Sequence, residues 1–569
     1  MLNCKVLQMY KEIVIAQDIN ELKFIIKNIK ESNFYCLPLS LELQLYCENN
    51  KIPFIDISKF SDNELHKKIQ QNTELILKKN KIKFLKLESI KKNYYRWLEH
   101  KLTGFFFLYF IINSINKKNK IKKIFTSGWN KTTIYYGKNY FISLFLKKIF
   151  KNIKVLTITP ILNEKLTVNN VKFFEANLNI KKNKKKIIFL NNLSYNFKRI
   201  LFWTYKNNYS VVVPFYRKIN IFKRIVLTFF KIYPLEITET TKQRKNNTRK
   251  NLQVKLPKIL FKEHEISEII YQDKNSIINY FTSEQNKVLA VQKIFKNNSF
   301  KLIMSNMAVG IDGGYLEIGK KLNIKTLNIP HGSLNEHFNK EGKIFNTNLS
   351  KQIYSKHAIN AMQSKISLDF VKKNNIRKKD YIISGNLIFN NVGKTNGKKI
   401  LFALKNKDFW CYRSYGIETF YETLNCLSKI NILAKNIEKK IYIKPHPGNF
   451  SSIEDLKIKY KNLYFTKESN KSLFKKIYVT ITYSSTIAED SLYSNIPVIL
   501  FDPYKRYKFC KSEENVSKKN SAVYYVNGIS DLLKCLKTVA ESKSIKFNKY
   551  ILSNNIKSNY NKLMYKITL

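Results

Sequence analysis

Lys440-Ile441-Tyr442-Ile443-Lys444-Pro445-His446-Pro447, then Val479-Thr480-Ile481-Thr482-Tyr483-Ser484-Ser485-Thr486-Ile487-Ala488-Glu489, then Pro497-Val498-Ile499-Leu500-Phe501, decide how this chain folds. Each begins as a short run of β-branched and aromatic residues. The first two stop at polar or proline-rich positions, and the second passes directly into a helical stretch, Ile487 to Tyr493. Strands alternating with helices imply a parallel sheet with crossover helices. Lys399 to Leu404 and Leu463 to Thr466 read as strands of the same unit. Helices are expected around Gly416 to Lys429 and Lys471 to Lys476.

The same alternation continues upstream. Phe300 to Ser305 reads as a strand, Gly310-Ile311-Asp312-Gly313-Gly314 as a Gly-rich turn, and Tyr315 to Leu322 as a helix. Lys325 to Ile329 is a strand ending at Pro330-His331-Gly332. A strand is expected at Gln352 to Ser355, a helix at Ser364 to Asn374 and a strand at Tyr381 to Ser384. Nearer the N-terminus, Phe34 to Leu39, Ile52 to Ile57, Ile121 to Phe125, Lys154 to Ile158 and Lys186 to Leu190 read as strands. The expected organisation is an N-terminal α/β region on the acceptor side (residues 1–235), a basic linker or surface excursion (236–258), the remainder of the N-terminal Rossmann-like unit (259–392) and a C-terminal donor-nucleotide unit (393–569). Two Rossmann-like units place a ligand cleft between them, at the carboxyl ends of the strands.

Composition bounds the class. A chain of 569 residues exceeds one hydrophobic core, so two or three domains are expected. With 44% hydrophobic and 14% aromatic residues, it has material for those cores. The formal net charge of +61 suggests a polyanionic partner. Yet only nine of the 102 basic residues are arginine. Lys, Asn and Ile share AT-rich codons, so genome composition can raise the charge without selection for a polyanionic partner. A dedicated nucleic-acid binder would favour the planar guanidinium fork, so nucleic acid is not the expected partner. An anionic membrane surface, or an anionic donor and acceptor, remains compatible.

The seven cysteines form no Cys-x-x-Cys pair, which argues against a zinc site or a disulfide framework and for a reducing, cytoplasmic setting. Met1 to Glu12 lacks the apolar run of a signal peptide. No run reaches the ~20 apolar residues of a bilayer span. Phe105 to Ile112 reads as a core helix. Ile221 to Tyr233 reads as an amphipathic helix packing its apolar face inward, with docking on an anionic membrane as the alternative.

Three polar clusters sit just past strand ends, where open α/β sheets bind ligands. In Lys444-Pro445-His446-Pro447, proline restricts the backbone on both sides of His446, and Pro447 stiffens the turn. His446 could present a donor to a phosphate, and Lys444 adds charge. Ser484 and Ser485 precede a helix, where hydroxyls and free N–H groups can bind phosphate. Thr486 and Glu489 fit a capping box, with a ribose or sugar contact as the second role for Glu489. His331 is a candidate general base, with Gly332 permitting close approach. Asp312 is the competing base. No HExxH, GxSxG or DxD pattern occurs, so a departing nucleotide would be neutralised by Lys, His and amide groups. No metal ligands and no cofactor are expected.

These residues resemble GT-B enzymes of bacterial surface-polysaccharide synthesis: capsule polysaccharide transferases, polysialyltransferases and CDP-glycerol glycerophosphotransferases. The resemblance spans roughly residues 300 to 510. It rests on Lys444-Pro445-His446-Pro447, on Tyr483 to Glu489, on Asn495-Ile496-Pro497-Val498-Ile499 and on Pro330-His331-Gly332. Those families usually carry glycine where Asn495 stands; asparagine tolerates the left-handed conformation that such a turn needs. Polysialyltransferases carry paired acids where this chain has only Asp312. The resemblance implies an α/β GT-B fold, two Rossmann-like domains facing a central cleft. It also implies transfer of a sugar from a nucleotide-sugar donor to a cell-surface polysaccharide or lipid-linked glycan. In that setting Lys444, His446, Ser484, Ser485 and Thr486 would hold the donor phosphates, and the protein would be cytoplasmic or peripheral on the inner membrane face. The alternatives are a CDP-polyol phosphotransferase, a sugar-nucleotide 2-epimerase and a non-catalytic polyanion-binding protein.

Overall fold

The computed structural model describes residues 10–30, 33–127, 142–158, 170–180, 186–193, 197–240, 255–271, 274–330, 332, 336–337, 353–393, 397–404, 420–437, 439–445, 453–483 and 485–568. Of the singled-out residues, His331, His446, Pro447 and Ser484 lie outside them, as does most of the basic stretch 236–258.

The chain builds three sheets with parallel cores. The first holds β1 (Glu12–Ala16), β2 (Tyr35–Pro38), β3 (Lys123–Ser127) and β4 (Lys154–Ile158) in the order β2-β1-β3-β4, all parallel. The second joins β5 (Phe173–Leu178), β6 (Ile187–Leu190), β7 (Ser210–Phe215) and β8 (Ile232–Thr240) to strands beyond the hairpin β9 (Leu260–Phe261) and β10 (His264–Glu265). Those strands are β11 (Phe300–Ser305), β12 (Thr326–Asn328), β14 (Ile359–Met362) and β15 (Tyr381–Ile383). Their order is β15-β14-β12-β11-β6-β7-β8-β5, parallel except for the edge pair β5–β8. The third comprises β16 (Lys399–Ala403), β17 (Ile441–Lys444), β18 (Leu463–Phe465), β19 (Ile477–Thr482), β20 (Val498–Phe501) and β22 (Val523–Val526). Its order is β18-β17-β16-β19-β20-β22, parallel throughout. A two-stranded ribbon, β13 (Glu336–His337) with β21 (Tyr507–Lys508), ties the second unit to the third.

The fold is therefore α/β of the GT-B kind: two doubly wound parallel sheets that present strand ends to one another, with the smaller first sheet before them. Residues 12–158 close a sheet of their own, and the position 235/236 falls inside β8. The last helix, Ile556–Thr568, returns to the second unit. Its Leu563, Met564 and Ile567 pack in one core with Ile188, Val213 and Leu302, and Trp203 Nε1 donates to Asn561 Oδ1 at 2.6 Å.

Phe105 to Ile112 lies inside one helix, Glu88–Asn119, and Phe105, Phe106 and Phe107 are at most 1% exposed. Burying each such ring stabilises the fold by about 1.5–3 kcal/mol. The Gly310 to Gly314 stretch is not a turn but the start of helix Gly310–Lys321. Its glycines allow close packing: a Cβ on Gly314 would stand 2.8 Å from Val288 Cγ2 of the preceding helix, and one on Gly313 3.2 Å from Ser89 Cβ of helix Glu88–Asn119 and 2.4 Å from the carbonyl of Ala308 just before the helix. The strand expected at Gln352 to Ser355 is displaced to β14, Ile359–Met362. There Asn360 replaces an alternating apolar pattern with a buried amide that bonds Ser355, Ala358 and Asp380.

The helix expected over Ile221 to Tyr233 stops at Phe229, and β8 begins at Ile232. Lys231 takes a positive φ of 58° at the junction. The inward packing expected for this helix is also corrected: none of its residues is buried.

Candidate functional site

A doubly wound sheet opens a crevice where its strand order reverses. In the second sheet that point lies between β6 and β11, and in the third between β16 and β19. Asn191 follows the end of β6 and Asn306 the end of β11. Their side chains meet across the crevice, Asn191 Nδ2 to Asn306 Oδ1 at 3.0 Å. Asn191 Oδ1 is buried without a hydrogen-bond partner among the described residues.

Asp312, in the first turn of the helix after β11, borders this crevice. Burial pushes its carboxyl up from the ordinary 3.8 to about 6. A hydrogen bond from Asn191 opposes the shift and the charge of Glu284 adds to it. The Tyr216 and Tyr315 hydroxyls meet at 2.9 Å within the same electrostatic neighbourhood. A carboxylate poised near neutrality can take a proton from a hydroxyl.

β12 neighbours β11, with Asn328 in register with Ser305. Its chain continues to Pro330, whose carbonyl accepts from Gln363 Nε2 at 2.8 Å. Gly332 then meets the third unit: a Cβ there would stand 2.1 Å from Thr486 Cγ2. The residues flanking His331 are thus fixed, one by β14's continuation and the other by the facing unit.

On the third sheet, Ala403, Lys444 and Thr482 share one row across β16, β17 and β19. Lys444 and the chain leaving β19 lie on either side of β16, about 10 Å apart at two strand spacings. Burial lowers the Lys444 ammonium from its ordinary value, opposed by Glu468, and its Nζ donates to the Glu468 carbonyl. Ser485 and Thr486 are half-buried. The expected capping box does not form. Thr486 makes no side-chain cap bond, because its methyl is turned onto Gly332. Glu489 Oε1 instead accepts from the Ser364 hydroxyl. Glu489 is 1% exposed and lies at the contact between the two units. The next residue, Asp490, accepts from the Asn390 N–H at 2.8 Å.

The turn after this helix adopts the left-handed conformation at Asn495, φ 56°, and Ile496 N–H closes onto the Ser491 carbonyl at 2.9 Å. Asparagine meets the demand that glycine usually meets there.

Lys444, Ser485, Thr486, Gly332 and Glu489 come to the facing edges of the second and third sheets, and Asp312 to the crevice of the second. Sequence reasoning missed Asn191, Asn306, Gln363 and Ser364. In a chain crowded with Asn, an Asn after a strand carries no signal of its own. A cavity of about 420 Å³ opens elsewhere, between helix Lys365–Lys373 and residues 509–522. Lys511, Lys518, Lys519, Lys546 and Lys549 stand around it, and none of the residues above lines it. Among the described residues no cluster of His, Cys, Asp or Glu suits a metal ion.

No family model matches the chain. Among curated proteins, Protein Ycf2 of Physcomitrium patens is 28% identical over 277 residues, 45% of this chain. The match spans 11% of that relative's length. Among solved structures, the UDP-GlcNAc 2-epimerase of Methanocaldococcus jannaschii is 11% identical with a TM-score of 0.39, covering 67% of this chain and 99% of that one. A UDP-N-acetylglucosamine 2-epimerase from Listeria monocytogenes is 9% identical with a TM-score of 0.39, covering 67% and 96%. The wall teichoic acid polymerase TagF is 12% identical with a TM-score of 0.34, covering 68% and 89%.

Proposed function

We propose that this chain is a metal-independent glycosyltransferase that moves a sugar from a nucleotide-activated donor to a cell-surface polysaccharide or lipid-linked glycan. The observation that carries the reading is the facing pair of strand-order reversals, one bearing Asp312 and the other flanked by Lys444 and Ser485. The two crevices differ chemically. One holds a carboxylate that desolvation raises to about 6, and the other a lysine and hydroxyl-bearing turn suited to phosphate.

In this reading Lys444, His446, Ser484 and Ser485 hold the donor phosphates. The acceptor hydroxyl attacks the anomeric carbon, the bond to the donor phosphate breaks, and the hydroxyl proton passes to Asp312 or His331. Positive charge and hydroxyl donors then stabilise the departing nucleotide. Thr486 serves by packing on Gly332, and Glu489 by holding the two units together through Ser364.

The test is a turnover assay on a panel of nucleotide-sugars and CDP-glycerol, with and without a surface-glycan acceptor fraction. Acceptor-dependent release of free nucleotide from one sugar donor supports the proposal. Sugar interconversion without acceptor, or CMP release from CDP-glycerol alone, replaces it with the epimerase or the polyol transferase.

A further inference from the structure

Helix Ile221–Phe229 is attached to the protein the wrong way round for a surface helix. Arg224 ties it to the body: its Nη2 donates to Glu236 Oε1 at 2.6 Å, and the same carboxylate oxygen accepts from the Ile219 N–H at 2.9 Å. The apolar stripe faces out. Ile221, Phe222, Ile225 and Phe229 are 77, 74, 63 and 74% exposed. These positions recur at helical spacing, so they form one continuous face. The face extends beyond the helix: Phe230 packs edge-on to Phe229 at 5.3 Å and stands 6.4 Å from Tyr205, beside exposed Phe202. A contiguous apolar patch of this kind marks a contact site.

Its rim is basic. Lys206 Nζ sits 4.6 Å from the centre of the Phe202 ring, Lys231 5.4 Å from Tyr205 and Lys223 5.5 Å from Phe215. The acids nearby are paired, Glu236 with Arg224 and Glu239 with Lys172. Lysines that lay their stems along rings at the edge of an apolar face place their charges at one level. That is the complement of a negatively charged lipid surface with hydrocarbon below it.

We infer that helix Ile221–Phe229, with Phe202 and Phe230, docks the protein on an anionic lipid bilayer. The aromatic and aliphatic side chains enter the acyl boundary, and Lys206, Lys223 and Lys231 meet the headgroups. The helix begins five residues after Tyr216, whose hydroxyl meets Tyr315 near Asp312. The docked face therefore follows β7, whose neighbour β6 borders the Asp312 crevice.

The inference is tested by vesicle cosedimentation of the full chain. Vesicles of phosphatidylcholine alone are compared with vesicles carrying about one-third phosphatidylglycerol, for the wild type and for Phe222→Asp/Phe229→Asp. Both positions are exposed, so an unchanged thermal midpoint verifies folding. The wild type is expected to pellet with anionic vesicles, and the variant's affinity to fall at least about tenfold. Phe222→Trp should show a blue-shifted emission on the same vesicles. Equal pelleting of variant and wild type would assign binding to general surface charge and overturn the inference. So would a wild-type dimer, abolished by the same substitutions, in a protein that ignores vesicles.

Discussion

The Cα of Gly332 rests against the methyl of Thr486, so closely that a Cβ on Gly332 would stand 2.1 Å from Thr486 Cγ2. One residue follows β12 of the second sheet, and the other follows β19 of the third. Their contact sets how near the two crevices approach.

Gly332→Ala should therefore push the units apart. Overpacking of this sort costs about 1–3 kcal/mol, and nucleotide affinity should fall with it. Thr486→Ser deletes the offending methyl and should restore most of both losses in the double variant. Calorimetry and thermal unfolding of the four proteins check this.

Asp312 carries an opposed pair of effects. Burial raises its folded pKa from 3.8 to about 6. Its ionisation in the folded state is therefore unfavourable, and the associated stability is present below about pH 4 and lost as pH rises through 6. Asp312→Asn should raise the thermal midpoint above pH 6 and leave it unchanged near pH 4. If Asp312 is the base, kcat/KM of the wild type shows an acidic limb near pH 6. The Asn variant then loses about 10²- to 10⁴-fold in kcat while keeping nucleotide affinity.

The N-terminal unit is latched to the third by a buried ion cluster. Glu422 Oε1 lies 2.6 Å from Arg506 Nη2 and 3.4 Å from His66 Nε2. Burial raises the Glu422 carboxyl, but Arg506 and His66 outweigh it and hold the pKa at about 2, from an ordinary 4.5. A depressed folded pKa gives stability present above about pH 4.5 and lost as pH falls through 2. Glu422→Gln strands the Arg506 charge, and denaturant unfolding at pH 7 should show a loss of about 3–5 kcal/mol. The gap to wild type should narrow as pH falls from 4.5 towards 2.

Glu489 and Ser364 should behave as one unit. Each alanine variant is expected to lose about 1.5–3 kcal/mol, the scale of a hydrogen bond to a charged group. Ser364 also caps helix Lys365–Lys373, so loss of both should cost little more than loss of Ser364 and clearly less than the sum of the two. Additive losses would contradict the contact.

Most strands of the second and third sheets were legible because each is a short apolar run cut off by Pro, Gly, Ser or His. Phe300–Ser305 of the second sheet matches residue for residue, as does Lys154–Ile158 of the first. Asn495 was legible because its turn demands a left-handed residue. The helix Ile221–Phe229 was misread because periodicity reports that a face is apolar but not what it faces. Gly310 to Gly314 was misread because glycine marks close helix packing as readily as a turn. Ser364 and Asn191 were invisible for another reason: their partners, Glu489 and Asn306, are distant in sequence and arrive only through the sheet order.

The central claim is that one nucleotide binds between the two crevices. It is tested most directly by calorimetric titration of CMP, CDP, UDP, GDP and their sugar or glycerol conjugates into the wild type, His446→Ala and Lys444→Ala. The account predicts saturable binding of one nucleotide class to the wild type, abolished in His446→Ala and weakened at least about tenfold in Lys444→Ala. Binding to none of them, alongside salt-sensitive RNA or anionic-lipid binding equal in all three proteins, would contradict it and leave a polyanion-binding protein on this frame.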